Sequence, residues 1–203
     1  MTLFLKKLLD WDAFYQNVDV KHMPWYYKPL DPDLELQIFL QKFSKGKFLD
    51  IGTGPGTQAK QIAELGFDTT GIDISKNAIQ KAKTLSKKVR FIVDDILTSS
   101  FPENSFDFIL DRGCFHALIP NQRKHYRTQV KRLLKNNGIL FLKVMSDEEK
   151  NLPPFVSPYK FSKQEIYKLF EEYFEIIDVR NSDFQGTLHP WPKAIFFVFK
   201  QKY

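Results

Sequence analysis

The sequence predicts an α/β fold in which a doubly wound, mostly parallel sheet carries helices on both faces. Short apolar segments alternate with amphipathic ones between residues 47 and 145, as in repeated strand–helix–strand units. A glycine-rich turn directly follows the first apolar segment. The last two apolar segments are joined by a loop too short for a crossover helix, so they should pair antiparallel. We therefore expect a seven-stranded sheet, with five parallel strands followed by a terminal antiparallel hairpin.

Periodicity and capping residues place the individual elements. The predicted strands lie at 47–51, 68–72, 89–93, 106–110, 139–145, 174–180 and 194–201. The predicted helices lie at 57–65, from the Ser75 cap onward, before Asn137-Gly138 with Tyr126, Val130, Leu133 and Leu134 inward, and from Ser162 to about Tyr173. Asp31-Pro32 predicts the start of a further helix, and Ser162 with Glu165 forms a capping box.

Length and composition are those of one globular domain. The chain has 203 residues and 43% hydrophobic residues, so we expect a single domain over 1–203. Residues 1–45 form a helical, aromatic N-terminal cover in this prediction, and residues 46–203 form the core. The lone Cys114 excludes an intrachain disulfide and a zinc site of several thiolates, and we predict no metal. The first residues are too charged for a signal peptide, and no stretch reaches the ~18 apolar residues of a membrane span. We expect a cytoplasmic monomer with no membrane association.

The net charge of +6 raises the question of nucleic-acid binding. The basic residues fall in two regions, 76–90 and 121–135, and both have helical patterns with an apolar side. Solvated helix faces account for such charges more simply than a binding groove does. We therefore predict that nucleic acid is not the partner.

The stretch LDIGTGPGTQ, residues 49–58, predicts a nucleotide-binding turn at the carboxyl end of the first strand. Its glycines follow the pattern G-x-G-x-G, which differs from the G-x-G-x-x-G of dinucleotide sites. Asp50 precedes the glycines, and its charge would repel a pyrophosphate. A carboxylate at this position suits a ligand that is nucleoside-like at one end and cationic at the other. S-adenosylmethionine has both features.

Acidic residues at the ends of the second and third strands support the same ligand. Asp73 would accept hydrogen bonds from ribose hydroxyls, a feature that NAD enzymes share. Ile74 would pack on the adenine face. One carboxylate of Asp94-Asp95 would accept from the adenine amino group, while a backbone N–H serves a ring nitrogen. Helix or turn capping is the alternative role for these aspartates.

The set LDIGTGPGT, TGIDIS, FIVDDI, FPENSFDFIL and LLKNNGILFLKV resembles the class I S-adenosylmethionine-dependent methyltransferases over about residues 46–145. That resemblance implies a Rossmann-like seven-stranded sheet with an antiparallel last strand. DRGCFHALIPNQRKHY and NLPPFVSPYKFSKQEIYKLF are similar to segments of the thiopurine S-methyltransferase-like group, which methylates small thiols and related compounds. The GTGPG loop is the general methyltransferase form and departs from the thiopurine enzymes themselves.

The resemblance also implies the site residues. The cofactor-binding set is Trp11, Tyr15, Trp25, Asp50, Gly52, Thr53, Gly54, Gly56, Asp73, Ile74, Asp95, Ile96, Asp111 and Arg112. The substrate-binding set is Trp25, Phe115, His116 and Phe155. Arg112 and His116 are candidates for a catalytic role. An ion pair is the alternative for Arg112, a structural role for His116, and ordinary core packing for the aromatic residues.

The leading functional hypothesis is a methyltransferase for a small molecule, such as a thiol or another soft chalcogen nucleophile. An RNA or protein methyltransferase is the runner-up, favoured by the basic helix at 121–135. A non-catalytic partner subunit that binds the cofactor is a third interpretation. Asp50 and the glycine spacing disfavour an NAD oxidoreductase.

Overall fold

The computed structural model describes residues 10–152 and 158–202. Its strands are β1 Lys47–Ile51, β2 Asp68–Asp73, β3 Arg90–Val93, β4 Phe106–Arg112, β5 Leu134–Met145, β6 Phe174–Asp183 and β7 Lys193–Gln201. Its helices are α1 Trp11–Asn17, α2 Pro32–Leu40, α3 Thr57–Glu64, α4 Lys76–Leu85, α5 Pro120–Leu133 and α6 Lys163–Phe170, with 3-10 turns at Val20–His22 and Phe115–Ala117.

The strands form one seven-stranded sheet in the order β3-β2-β1-β4-β5-β7-β6. Strands β1 to β5 pair in parallel, and β7 runs antiparallel to both β5 and β6. The predicted fold class is therefore confirmed, including the terminal hairpin. Since β7 lies between β5 and β6, the hairpin joins the sheet through its second strand.

Apolar side chains cover both faces of the sheet. On one face Leu34 of α2 and Ile62 of α3 pack with a row of phenylalanines that includes Phe48 and Phe141. On the other face the inward side chains of α5 and α6 pack against the sheet, with Phe170 stacked on Phe199 at 5.0 Å. This two-sided burial fixes the strand ends, where polar residues are then held at one edge.

The predicted end of α5 is wrong. The helix ends at Leu133, and β5 already begins at Leu134, which pairs with Phe106. Asn137 adopts a positive φ of 63° inside the strand, where the register with β4 is shifted. The Asn137-Gly138 turn signal therefore marks an irregularity of the strand rather than the end of a helix.

Two further details differ from expectation or extend it. Helix α6 ends at Phe170, before the predicted Tyr173. Residues 94–105 connect β3 to β4 without a helix. The predicted caps are confirmed, because the hydroxyl of Ser75 accepts from Ala78 N–H and the Ser162–Glu165 box is formed. None of the helices within 10–152 and 158–202 is long and apolar enough to cross a membrane.

Candidate active site

The glycine turn between β1 and α3 lies at the carboxyl edge of the sheet. Gly52 and Gly54 have φ of 65° and 54°, which L side chains rarely adopt. A Cβ atom on Gly52 would stand 2.9 Å from Cys114 Cβ. Thr53 stiffens the turn by donating its hydroxyl to Asp50 Oδ2 at 2.6 Å and its N–H to a β2 carbonyl. These hydrogen bonds hold the turn rigid. Because its glycines have no side chains, a ligand could approach the backbone of the turn closely.

Three carboxylates are buried at the same edge. Asp50, Asp73 and Asp111 lie at or near the ends of β1, β2 and β4. Burial raises the pKa of Asp50 to about 7 and that of Asp111 to about 6, and it also raises the pKa of Asp73. The charges of neighbouring aspartates add to the shift at Asp50. Because burial disfavours the ionised form of these carboxyl groups, a cationic ligand bound beside them would stabilise the site.

The end of β2 combines a carboxylate with an exposed apolar side chain. Asp73 accepts the N–H of Gly54 and that of Ser75, each at 2.9 Å. Ile74, the next residue, is 60% exposed. This pairing fits a ribose on the carboxylate and a base on the isoleucine, as the sequence predicts.

The end of β3 carries the remaining predicted nucleoside contacts. Asp95 accepts Leu97 N–H at 2.9 Å, and Asp94 accepts the Ser99 hydroxyl at 2.6 Å. Both aspartates therefore cap the following turn. Ile96 is buried in the core, so any contact that it makes with a ligand is through its backbone.

The N-terminal cover lies on the glycine turn. Trp11, Phe14, Tyr15 and Trp25 form one aromatic cluster, with Trp11 and Trp25 ring centroids 5.8 Å apart. A Cβ atom on Gly54 would stand 2.6 Å from Tyr15 Oη. The structure thus brings the three predicted cover residues, Trp11, Tyr15 and Trp25, together above the turn.

Helix α1 is fastened to α4 beside Asp73. Asp12 Oδ1 accepts the Ser75 hydroxyl at 2.8 Å and the Asn77 N–H at 2.9 Å. These groups belong to the N-terminus of α4, which favours a nearby carboxylate. The hydrogen bonds lower the pKa of Asp12, the one from the Asn77 backbone contributing most.

Asp111 and Arg112 are engaged inside the protein. Asp111 accepts the N–H groups of the three residues that follow Arg112 and the hydroxyl of Tyr126 at 2.6 Å. Arg112 donates from Nε to Asp31 Oδ2 at 2.7 Å and from Nη2 to Gln185 O at 2.6 Å. The ion pair considered as the alternative for Arg112 is thus formed, with Asp31 as its partner. We therefore leave both side chains out of the proposed ligand contacts.

His116 has the wrong tautomer for a general base. Its Nδ1 accepts the N–H of Met145 at 3.1 Å, so Nε2 carries the proton and acts as a donor. Its ring centroid lies 5.2 Å from that of Phe184 on the loop between β6 and β7. This hydrogen bond at Nδ1 argues against a general base at His116, and a role of His116 in the site stays a prediction.

Of the other predicted substrate residues, Phe115 is a core residue. It is fully buried and packs against Tyr126 and Phe170, with ring centroids 5.0 and 5.2 Å away. Its neighbour Cys114 lies against Gly52, and burial raises the pKa of its thiol. Phe155 lies outside the described residues.

A buried polar group at this edge escaped the sequence analysis as a site feature. Asp31 was identified only as a helix cap, whereas Gln58 and Lys143 were not singled out. Lys143 is fully buried and donates to both oxygens of Asp31 at 2.9 and 2.7 Å. The signal was present in GILFLKVM, because one lysine inside an apolar strand requires a buried anion.

The site combines a glycine turn that a ligand can approach closely, buried carboxylates and an exposed isoleucine. These features are expected of an α/β protein that binds a positively charged nucleoside. The methyltransferase domain family matches residues 42–185, and the chain belongs to this family. The protein is an S-adenosylmethionine-dependent methyltransferase, and the cofactor predicted from the sequence is confirmed.

Curated relatives differ in what they are named for. An uncharacterized methyltransferase of Schizosaccharomyces pombe is 34% identical over 107 residues, 51% of this chain and 74% of its own length. The phosphoethanolamine N-methyltransferase of Plasmodium falciparum is 33% identical over 76% of this chain and 58% of its own. The EEF1A lysine methyltransferase 2 of Danio rerio is 28% identical over 75% of this chain and 65% of its own.

Solved structures share the fold at low identity. One described as "Conversion of a Disulfide Bond into a Thioacetal Group during Echinomycin Biosynthesis" has a TM-score of 0.80 and 23% identity, over 94% of this chain and 91% of the other. The 1,6-didemethyltoxoflavin-N1-methyltransferase of Burkholderia thailandensis, solved with S-adenosylhomocysteine, has a TM-score of 0.67 and 18% identity over 94% and 81%. These likenesses support the fold alone.

Proposed function

We propose that the methyl acceptor is a small molecule with a soft nucleophile, a thiol or another chalcogen, as in the thiopurine S-methyltransferase-like group. One observation carries the small size. The segment 23–31, called the strap here, crosses the carboxyl edge and is bonded to the loop 184–192. Thr187 donates its N–H to Pro24 O at 3.0 Å and its hydroxyl to Met23 O at 3.2 Å. A strap bonded to the loop 184–192 in this way favours a small acceptor over a folded macromolecule.

The basic side chains of α5 support the same conclusion. Arg132 donates to the carbonyls of Ser99 and Phe101 at 2.7 and 2.5 Å. Just beyond the helix, Lys135 at the start of β5 pairs with Asp107 at 2.8 Å. Three further basic side chains of the helix have their charged groups over tyrosine rings: Arg123, Arg127 and Lys131. Because these cations are used within the fold, the helix offers little of the continuous basic groove that RNA requires.

Methyl transfer to such an acceptor requires the protein mainly to align the acceptor with the methyl group and to exclude water. When bound, S-adenosylmethionine supplies an activated methyl group on a sulfonium. A thiol, with a free pKa near ~8.5, needs little help from a base. The proposed roles are therefore binding by Asp50 and Asp73, shielding by Tyr15 and Trp25, and orientation of the acceptor near His116, whose Nε2–H is a donor.

Protein lysine methylation is the second candidate. It is favoured by the similarity to the Danio rerio EEF1A lysine methyltransferase 2. Amine methylation of a small molecule, as the Plasmodium falciparum relative's name states for that enzyme, keeps the small acceptor but changes the nucleophile. We also propose that the protein is catalytic by itself and acts as a cytoplasmic monomer. Light scattering after size exclusion tests whether it is a monomer.

The test is release of S-adenosylhomocysteine from a panel of acceptors. The panel contains thiophenol, dithiothreitol, selenite, phosphoethanolamine, purified elongation factor 1A and tRNA. Each is assayed at low and at physiological salt, with the Asp73→Ala variant as a cofactor-binding control. We expect turnover of thiophenol that changes little with salt. Activity confined to elongation factor 1A, or to tRNA with a steep decline as salt rises, would overturn the proposal.

A further inference from the structure

We propose that Asp31 is a positioning residue for methyl transfer, joining the cofactor-side wall of the site to the acceptor-side wall. Asp31 is the last residue of the strap and the N-cap of α2, and it is only 1% exposed. Its backbone and its carboxylate contact elements on opposite sides of the site.

The backbone of Asp31 contacts the cofactor side. Its N–H donates to Gln58 Oε1 at 2.8 Å. The amide of Gln58 in turn donates to the carbonyls of Tyr27 at 3.2 Å and Pro29 at 3.0 Å. Gln58 belongs to the first turn of α3, which begins directly after the glycine turn. The strap is therefore fixed to the helix whose N-terminus forms part of the cofactor cradle.

The carboxylate of Asp31 contacts the acceptor side. Oδ2 accepts from Arg112 Nε and from Lys143 Nζ, each at 2.7 Å. Both cations continue to Gln185, Arg112 to its carbonyl at 2.6 Å and Lys143 to its side-chain oxygen at 3.2 Å. Gln185 is the second residue of the loop 184–192 and follows Phe184, whose ring packs against that of His116. One carboxylate thus holds the wall that the acceptor would meet.

Charge balance makes the carboxylate of Asp31 hard to replace. Burial by itself acts to raise the pKa of Asp31, but Lys143 and Arg112 together hold it below its ordinary value. Asp33 also pairs with Lys143, at 2.7 Å, and accepts from the Ser182 hydroxyl. Asp33 shares only the Lys143 contact, so it provides a matched comparison for loss of one charge.

This arrangement has a measurable consequence. A ligand that orders the glycine turn also orders the start of α3, and through Asp31 it restrains the loop 184–192. Coupling of this kind is reciprocal and is measured as a ratio of affinities or of exchange rates. Small displacements of such a wall are costly, because about 1 Å of misalignment lowers turnover about a hundredfold.

The experiment compares Asp31→Asn with Asp33→Asn by hydrogen exchange, with and without S-adenosylhomocysteine. Asparagine caps a helix as well as aspartate does, so Asp31→Asn can keep the cap at Oδ1. It removes the charge and replaces Oδ2, the acceptor for Arg112 and Lys143, by an amide NH2 that cannot accept. In the wild type and in Asp33→Asn, we expect the product to slow exchange at 184–192 by about fivefold or more. In Asp31→Asn this slowing is lost, while the affinity for the product changes less than about threefold.

A kinetic readout accompanies exchange and rests on the proposed function. With thiophenol as acceptor, Asp31→Asn should lower kcat/KM for the thiol by about tenfold or more, with KM for S-adenosylmethionine nearly unchanged. A wild type that does not methylate thiophenol contradicts the proposed acceptor, and the exchange comparison still decides the role of Asp31.

A second variant guards against unfolding. Asp31→Asn with Lys143→Met removes one buried anion and one buried cation, so the net charge of the cluster is unchanged, with Arg112 and Asp33 as its remaining cation and anion. It should lose the product-dependent slowing at 184–192 as Asp31→Asn does. The proposal is overturned if either variant retains that slowing at the level of Asp33→Asn, or if the slowing is lost only in proportion to product binding.

Discussion

The hydroxyl of Tyr15 rests on Gly54, so closely that a Cβ atom there would stand 2.6 Å away. Gly54 also donates its N–H to Asp73, so the cover contacts the glycine turn and the glycine turn contacts the β2 carboxylate. Any side chain at residue 54 must therefore displace the cover or the turn.

Gly54→Ala should prevent the close contact between Tyr15 and the glycine turn. We expect the affinity for S-adenosylhomocysteine to fall by about tenfold or more, because the new methyl group meets Tyr15 and φ is unfavourable. Gly66→Ala is the matched control, since Gly66 has φ of 99° but nothing within 4 Å of the added Cβ. Titration calorimetry compares the two variants. Equal affinities in the two variants would show that a methyl group at residue 54 does not disturb cofactor binding and would contradict this prediction.

Asp73→Ala should weaken the cofactor by about 1–3 kcal/mol, because two ribose hydroxyls lose a charged acceptor. Asp94→Ala is the comparison at the neighbouring strand end, where the carboxylate caps Ser99 instead. The binding of S-adenosylmethionine and of NAD is measured for each variant. Unchanged cofactor affinity in Asp73→Ala, or tight NAD binding by the wild type, would contradict the assignment.

Asp50→Asn should stabilise the protein without ligand and weaken cofactor binding. The pKa of Asp50 is about 7 in the folded protein and 3.8 without the protein environment. Between these values the folded state holds a proton that the unfolded chain has lost. The free energy of unfolding therefore falls as pH rises through this window, and the penalty is fully present above it. Asparagine removes that penalty, by about 1–3 kcal/mol.

Thermal unfolding at about pH 8 and about pH 5 checks this expectation. The gain from Asp50→Asn should be largest at the higher pH and shrink at the lower one. In parallel, the affinity of the wild type for S-adenosylmethionine should decline as pH falls below about 7, because Asp50 loses its charge. A gain that is equal at both pH values would mean that Asp50 does not titrate in this range.

Residues 11–30 of the N-terminal cover should act as a lid. Hydrogen exchange in this segment should slow when S-adenosylhomocysteine binds, since Tyr15 and Trp25 would be held over the ligand. Asp12→Ala should speed product release several-fold by freeing α1 from Ser75 and Asn77. Asp19→Ala removes the same charge from the cover without those contacts. Protection at 50–56 with no change at 11–30 would rule out the lid.

The sequence was sufficient for the sheet and for the edge at which we propose that the ligand binds. Alternation of apolar segments located every strand, and the glycine turn and Asp73 appeared at the expected strand ends. The boundary between α5 and β5 was missed, because Leu133 and Leu134 satisfy helical spacing. Their pairing with β4 is a long-range effect that no local pattern contains.

The interior of the site was less predictable for the same reason. Arg112 was predicted to contact the ligand because it lies at the carboxyl end of β4, yet its partner, Asp31, lies far away in the sequence. Phe115 could have lined a pocket or the core, and only the packing of Tyr126 and Phe170 decides between them. Choices of this kind depend on which distant side chains meet.

The joint between the strap and the loop 184–192 is made largely by backbone. Thr187 N–H meets Pro24 O, and a Cβ atom on Gly186 would stand only 1.9 Å from that oxygen. Glycine is therefore required at 186, and the ring of Trp191 adds a contact with Tyr27 of the strap, with centroids 6.4 Å apart. The positions 188–190 lie between these two contacts, so their side chains are the ones that could vary while the strap stays bonded to the loop. A library that varies 188–190 and keeps Gly186 and Trp191 should retain folding while it samples new acceptors.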